Sequence, residues 1–153
     1  YSVIVIAVAI VLLSGTASWQ VNSTKIELQQ GLRRGMEWMA KDLRQAGTSA
    51  YSITNVPADG TWYSTITFRP AAGVLGGVIV WSTDTIQYVV AGGELRRVKG
   101  TETRVIARNI TSLQIRRQNT TADTVEVTLQ GTKKAEGGQV LTLNTNFSVQ
   151  VRN

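Results

Sequence analysis

Side chains able to do covalent or acid–base chemistry are scarce in this chain. Its 153 residues include no His and no Cys. Thiol nucleophiles, Cys/His zinc sites, Ser–His or Cys–His pairs and the commonest general base are therefore excluded, and no nucleophile elbow occurs. What remains is ten carboxylates spread along the chain. Asp123 and Glu126 come nearest to a pair, but their place around a strand start points them to solvent. Loop oxygens near Asp59 or Asp123 leave calcium as an option, with no ligand spacing to argue for it. The segment Gly73-Val74-Leu75-Gly76-Gly77 is glycine-rich. It lacks the Lys-Ser/Thr and the following helix that a phosphate loop requires, and so reads as a hairpin or a flexible loop. An enzyme is not expected, and neither is a cofactor, a metal or a small-molecule substrate.

The remaining candidates are surface chemistry. Sixteen Lys and Arg give a net charge of +6. They include the doublets Arg33-Arg34, Arg96-Arg97, Arg116-Arg117 and Lys133-Lys134, which are scattered instead of forming one run. That pattern fits a solvated surface better than a nucleic-acid patch, and nucleic acid is not expected as a partner. Four glycosylation sequons start at Asn22, Asn109, Asn119 and Asn146, about as many as a Thr/Asn-rich chain produces by chance. Trp19, Trp38, Trp62 and Trp81 could serve as aromatic platforms for a base or a sugar. They fall in different elements, which favours core or interface packing.

The elements that position these residues follow from hydropathy. The length suits one domain plus an appendage, and 42% apolar residues suffice for one core. Charged residues make up only 17%, below the usual quarter. Tyr1 to Leu13 (YSVIVIAVAIVLL) is an uncharged, strongly apolar run. Extended to Trp19 it approaches the ~18 to 20 residues a membrane-spanning helix needs, with Trp19 placed as an interfacial aromatic. A signal-peptide core would want a basic segment in front, and a single strand would be shorter. Residues 1–24 are thus expected to form an apolar helix and membrane anchor.

From Lys25 the helix becomes amphipathic. Leu28, Leu32, Met36, Met39, Leu43 and Ala46 recur at steps of three and four, the stripe of a one-sided helix. Glu37 and Lys41 form an i,i+4 pair, and Gly47 is a candidate C-cap. Residues 25–47 are expected to continue the helix into the globular domain, with Leu28, Leu32, Met36, Met39 and Leu43 as the face that packs on a sheet. Gly15, Gly31 and Gly35 mark bends or close contacts. Residues 48–153 read as an antiparallel β domain. Its strands are expected at 64–69, 78–81, 85–90, 94–98, 104–107, 112–117, 124–129 and 141–151. Turns fall at 91–93, 99–100, 119–123 and 131–138. The fold class is α+β: a long N-terminal apolar-then-amphipathic helix packed on an antiparallel β-sheet.

An uninterrupted apolar helix running into an amphipathic helix and then a sheet resembles the type IV pilin superfamily. Gly35 to Gly47 (GMEWMAKDLRQAG) is similar to W-type minor pilins and to J-type minor pseudopilins of type II secretion. Thr85 to Arg97 (TIQYVVAGGELRR), Val105 to Leu113 (VIARNITSL) and Val149 to Asn153 (VQVRN) are similar to the same group. The resemblance covers nearly the whole chain and implies a pilin-like fold. It also implies prepilin-peptidase processing, a methylated amino terminus, and an anchor in inner-membrane lipid before assembly. The subunit would then join other copies of itself and related pilins in a helical filament, extruded by pilus assembly machinery to the periplasm or cell surface. Val3, Ile4, Val5, Ile6, Ala7, Val8, Ala9, Ile10, Val11, Leu12 and Leu13 would form the filament core. The family's helix usually opens with Phe and carries Glu at its fifth position. Here Tyr1 and Val5 stand there, and no acidic residue precedes Glu27. Either the sequence begins inside the mature helix, the favoured reading, or the start lacks its Glu as in some tip pseudopilins. The alternatives to a filament subunit are a minor pilin or tip pseudopilin that primes assembly, and a membrane-anchored adhesive or DNA-binding module.

Overall fold

A computed structural model describes residues 2–47, 52–118 and 123–151, with residues 2–14 and 17 described by their backbone alone. The chain opens with one helix, α1 (Ser2–Leu43), of 42 residues. At 1.5 Å per residue it is roughly 63 Å long. Among the described residues no helix is long and apolar enough to cross a membrane. The apolar side chains of Val3 to Leu13, on which the anchor and filament-core expectations rest, lie outside the described set.

Among the described residues nine antiparallel strands follow. β1 (Ile66–Phe68), β4 (Ile86–Ala91), β5 (Glu94–Lys99) and β6 (Glu102–Arg108) form one sheet in the order β1-β4-β5-β6. β7 (Ile110–Gln118), β8 (Thr124–Lys134) and β9 (Val140–Gln150) form a second sheet as a simple meander. β2 (Ala71–Leu75) and β3 (Val78–Trp81) make a separate hairpin. The fold is therefore α+β, with the helix packed on antiparallel sheets. The single meander implied by the strand spacing is divided in two. The division falls at Asn109, the lone residue between β6 and β7, which takes φ 60. Its carbonyl accepts the Thr132 N–H at 2.9 Å, and the next residue, Ile110, donates its N–H to the Gly93 carbonyl at 3.0 Å. Asn tolerates this left-handed conformation better than most residues, so one residue turns the chain from one sheet into the other.

Both sheets bury their inner faces against the second half of α1. Leu28, Leu32, Met39 and Leu43 are buried, and Met36 packs half-buried against the same core. From the four-stranded sheet come Ile66, Phe68, Ile86, Tyr88 and Leu95. The three-stranded sheet supplies Leu113, Ile115, Val125, Val127 and Leu129. In β6 the consecutive residues Ile106 and Ala107 are both buried. A bulge explains this: Leu95 pairs with Ala107 and Arg96 with Val105, leaving Ile106 as the extra residue.

Three glycines act through space. A Cβ on Gly35 would lie 3.0 Å from Leu95 Cδ2 and 3.2 Å from Leu129 Cδ1. Those leucines belong to different sheets, so Gly35 is where the helix touches both. Gly131 was expected in a turn but lies inside β8, which runs on to Lys134. A Cβ there would sit 2.8 Å from Leu28 Cδ1 and 3.0 Å from the Asn109 carbonyl oxygen. Gly47, expected to cap the helix, does not. The helix ends at Leu43 and closes through 3₁₀-type bonds from Gln45 N to Asp42 O and Ala46 N to Leu43 O, both 3.0 Å. A Cβ on Gly47 would fall 2.1 Å from the Trp81 ring, so the indole is what requires glycine.

Val78 to Trp81, expected as a strand, is β3 of an exposed hairpin. Leu75 is 76% and Val78 68% exposed. Gly76 and Gly77, at φ 59 and 82, form the two-residue turn between them. The glycine-rich segment is thus a hairpin tip.

Gly35→Val should lower stability by about 1 to 3 kcal/mol, because the added methyls would meet leucines of both sheets. Urea unfolding followed by circular dichroism measures it. A midpoint equal to that of the unaltered protein would mean that the seat tolerates the bulk.

Candidate functional site

The most built polar site lies where the end of α1 meets the four-stranded sheet. Asp42 is 4% exposed. It sits on the packed face of the helix, three residues beyond Met39, beside Leu43. Two donors converge on its Oδ2: the Tyr88 hydroxyl at 2.7 Å and Arg97 Nε at 2.5 Å. Tyr88 comes from the inward face of β4 and is itself fully buried. Arg97, paired with Tyr88 across the β4–β5 ladder, leaves its side chain only 15% exposed. Its guanidinium lies 5.7 Å from the Trp38 ring, and Arg104 covers the same ring at 4.8 Å. A helix carboxylate is thus fastened to two neighbouring strands under an aromatic lid.

The electrostatics follow from burial. Desolvation pushes the Tyr88 hydroxyl well above its usual value, and its hydrogen bond to Asp42 pushes it further the same way. Burial works to lower Arg97, but the Asp42 carboxylate outweighs it and holds the guanidinium above its ordinary range. Both groups keep their protons at neutral pH. With no nucleophile nearby the cluster is a clamp: it fixes the rotation and depth of the helix against the sheet.

Several other arginines are also paired. Arg117 is 7% exposed and binds Asp123 through Nε at 2.8 Å and through Nη2. Arg116, on the opposite face of β7, binds Glu126 at 2.5 Å. Asp123 and Glu126 therefore do not share a site: Asp123 is tucked against Arg117, while Glu126 stands partly exposed on the outer face with Arg116. Each acid serves one member of the Arg116-Arg117 doublet. Arg96 pairs with Glu94, Arg33 with Glu37, and Lys133 with Glu27. These pairs engage one member of each basic doublet or both, while Lys25, Arg34 and Arg44 lie exposed along the helix. Asp59, the other calcium candidate, accepts the Thr61 N–H at 2.8 Å and the Tyr63 hydroxyl at 3.0 Å. The backbone bond from Thr61 is the main cause that lowers its pKa. Among the described residues no three acidic side chains cluster as metal ligands.

The four tryptophans do not share one role. Trp38 is half-buried in the clamp and Trp81 packs on Gly47. Trp19 and Trp62 are 72% and 42% exposed, so neither is a core residue. Of the sequon residues, Asn22 and Asn146 are exposed, Asn109 forms the corner between the sheets, and Asn119 is outside the described residues. The β8–β9 hairpin and the helix meet at one more place: Gln20 donates to Glu136 in the turn at 2.9 Å. No family model, curated protein or solved structure matches this chain.

The clamp was not foreseen from sequence. Its signal is Asp42 itself, an acid within the apolar stripe at the spacing that places it on the packed face. Breaking it by Asp42→Ala or Arg97→Ala should cost about 3 to 5 kcal/mol, as expected when one partner of a buried pair is left alone. The double variant should cost less than the sum of the two. Urea unfolding of the three variants tests this, and additive losses would show the groups to be independent.

A pH dependence accompanies it. The raised Tyr88 pKa means that the folded state holds a proton the unfolded chain has released. Its contribution is complete below the unfolded tyrosine value of about 10 and is lost as pH rises above it. Stability should therefore fall above about pH 10, with a shallower fall in Tyr88→Phe. Melting temperatures between neutral and strongly alkaline pH measure the slope, and equal slopes would remove Tyr88 as its source.

Proposed function

We propose that this chain is a structural subunit of a type IV pilus-like filament, held in the inner membrane before assembly and polymerised through its N-terminal helix. The observation that carries the reading is the division of α1. From Gln20 onward the helix touches the β domain through Glu136, Lys133 and the core. Before that point it runs about 27 Å further, through a sequence without a single charge from residue 1 to residue 19, and Gly15, Ser18 and Trp19 on it are exposed. The later part of the helix is seated on the sheets, and the part before it is uncharged in sequence and exposed at Gly15, Thr16, Ser18 and Trp19, which suits exchange of lipid contacts for contacts with neighbouring helices.

The physics of that exchange is simple. A helix satisfies its own backbone groups in a bilayer. On extraction it trades lipid for close helix packing, which small residues such as Ala7, Ala9, Gly15 and Ala17 favour. A single repeated head-to-tail contact then generates an open helical polymer. The subunit needs no active site, since the assembly machinery supplies the work. The motif GMEWMAKDLRQAG favours a second reading within the same class, a minor pilin or type II secretion pseudopilin at the tip. Filaments made mainly of this chain would point to the major role, and a few copies per filament to the minor one. The paired arginines give the DNA-binding alternative no support.

Val5→Asp or Ile6→Asp should abolish membrane insertion or filament assembly while leaving the β domain folded. Filament yield by electron microscopy, with circular dichroism of the purified protein, checks both halves. Normal filament yield from either variant would refute the proposal.

A further inference from the structure

The outer face of the three-stranded sheet carries a cavity of about 530 Å³ that the helix seat does not use. Strand alternation puts Val125, Val127 and Leu129 inward and Glu126, Thr128 and Gln130 outward. Directly across the ladder Glu126 faces Arg116 and Ser148, and Thr128 faces Gln114 and Asn146. Over this floor stands Trp62. Its position is braced on both sides. Thr61 donates its N–H to Asp59 at 2.8 Å. Tyr63 exchanges backbone bonds of 2.7 and 2.8 Å with Ile115, and its hydroxyl also binds Asp59. The Arg116 guanidinium lies 4.5 Å from the Trp62 ring and is itself held by Glu126. The indole nevertheless remains 42% exposed.

An indole held this firmly and left in water is not a core residue, and the fold gains little from exposing it. Its neighbours narrow what could cover it. Among the described residues the only charges lining the cavity, Arg116 and Glu126, cancel in an ion pair. A nucleic acid would need unpaired cations along its backbone. A protein partner would need an apolar centre to the patch, whereas Val127 and Phe147, the other apolar residues at the cavity, pack with the core. What the site presents is an aromatic platform beside neutral hydroxyl and amide groups on strands about 4.8 Å apart. That combination matches a ligand with C–H faces and a rim of uncharged hydroxyls. We infer that the Trp62–Thr128–Asn146 face is a binding site for a neutral oligosaccharide. The site is independent of whether the chain polymerises.

The test uses the full ¹⁵N-labelled chain in a zwitterionic detergent without a sugar headgroup. Cellohexaose, maltohexaose, chitohexaose and, separately, single-stranded oligothymidylate are titrated in. At least one of the three saccharides should shift the Trp62 indole N–H saturably, leaving the Trp19, Trp38 and Trp81 indoles in place, with an affinity insensitive to salt. Trp62→Ala and Asn146→Ala should each weaken binding at least about tenfold, read from the Thr128 backbone amide. Three outcomes would overturn the inference: no Trp62 shift with any saccharide, a shift produced only by the oligonucleotide and erased by salt, or saccharide binding unchanged in both variants.

Discussion

The structure hangs on how closely one helix can approach two sheets. A Cβ at Gly35 would press on Leu95 of one sheet and Leu129 of the other, and a Cβ at Gly131 would press on Leu28 of the helix. Removing a side chain from both partners brings backbone toward backbone, and the leucines then close around the gap. Dispersion contacts lose much of their energy with a gap of even half an ångström, so this approach decides whether the core is dense. Other features follow from it. The two sheets must part beneath the helix, which the one-residue corner at Asn109 allows. β8 must carry a glycine in mid-strand, where propensity argues against one.

Given that approach, the Asp42 clamp has a specific job. Hydrophobic packing along a stripe resists separation but is lenient about a small rotation or slide. A carboxylate that must meet both Tyr88 and Arg97 is not lenient, because a buried charge that loses its partners costs several kcal/mol. Leucines hold the helix down, and the clamp sets its register. Its place at the end of α1 puts the whole helix seat between it and the uncharged N-terminal stretch.

Periodicity made part of this legible. The stripe Leu28, Leu32, Met36, Met39, Leu43 falls on the packed face because a 3.6-residue repeat admits only one reading over more than four turns. The strands between Ile86 and Gln150 were visible through alternation and turn residues, with no end displaced by more than five residues. Glycine was the weak point. Gly47 and Gly131 were read as punctuation, since from sequence a glycine that makes room cannot be told from one that makes a turn. The run Val78 to Trp81 reads as a strand, but four apolar residues in a row do not say which side is covered. Only the tertiary arrangement, which leaves β2–β3 apart from both sheets, exposes it. The clamp escaped notice for a related reason: Asp42, Tyr88 and Arg97 are distant in sequence and share no spacing rule.

The three-stranded sheet shows how one pattern can serve two purposes. Its strands alternate strictly through the segment that contains Trp62's floor. Every inward residue from Val125 to Leu129 belongs to the helix seat, and every outward one is polar. A change on one face therefore leaves the other's chemistry untouched, apart from the shared backbone. The ion pairs divide in the same way: Arg117 and Asp123 close the inner side, while Arg116 and Glu126 brace the indole outside. Adjacent arginines in sequence thus serve opposite faces, which is why the doublet carries no net basic patch. A subunit whose inner surface is committed to holding a helix has only its outer surface left for recognition. Here that surface is rigid, because the strand that carries it is the same strand the helix holds down.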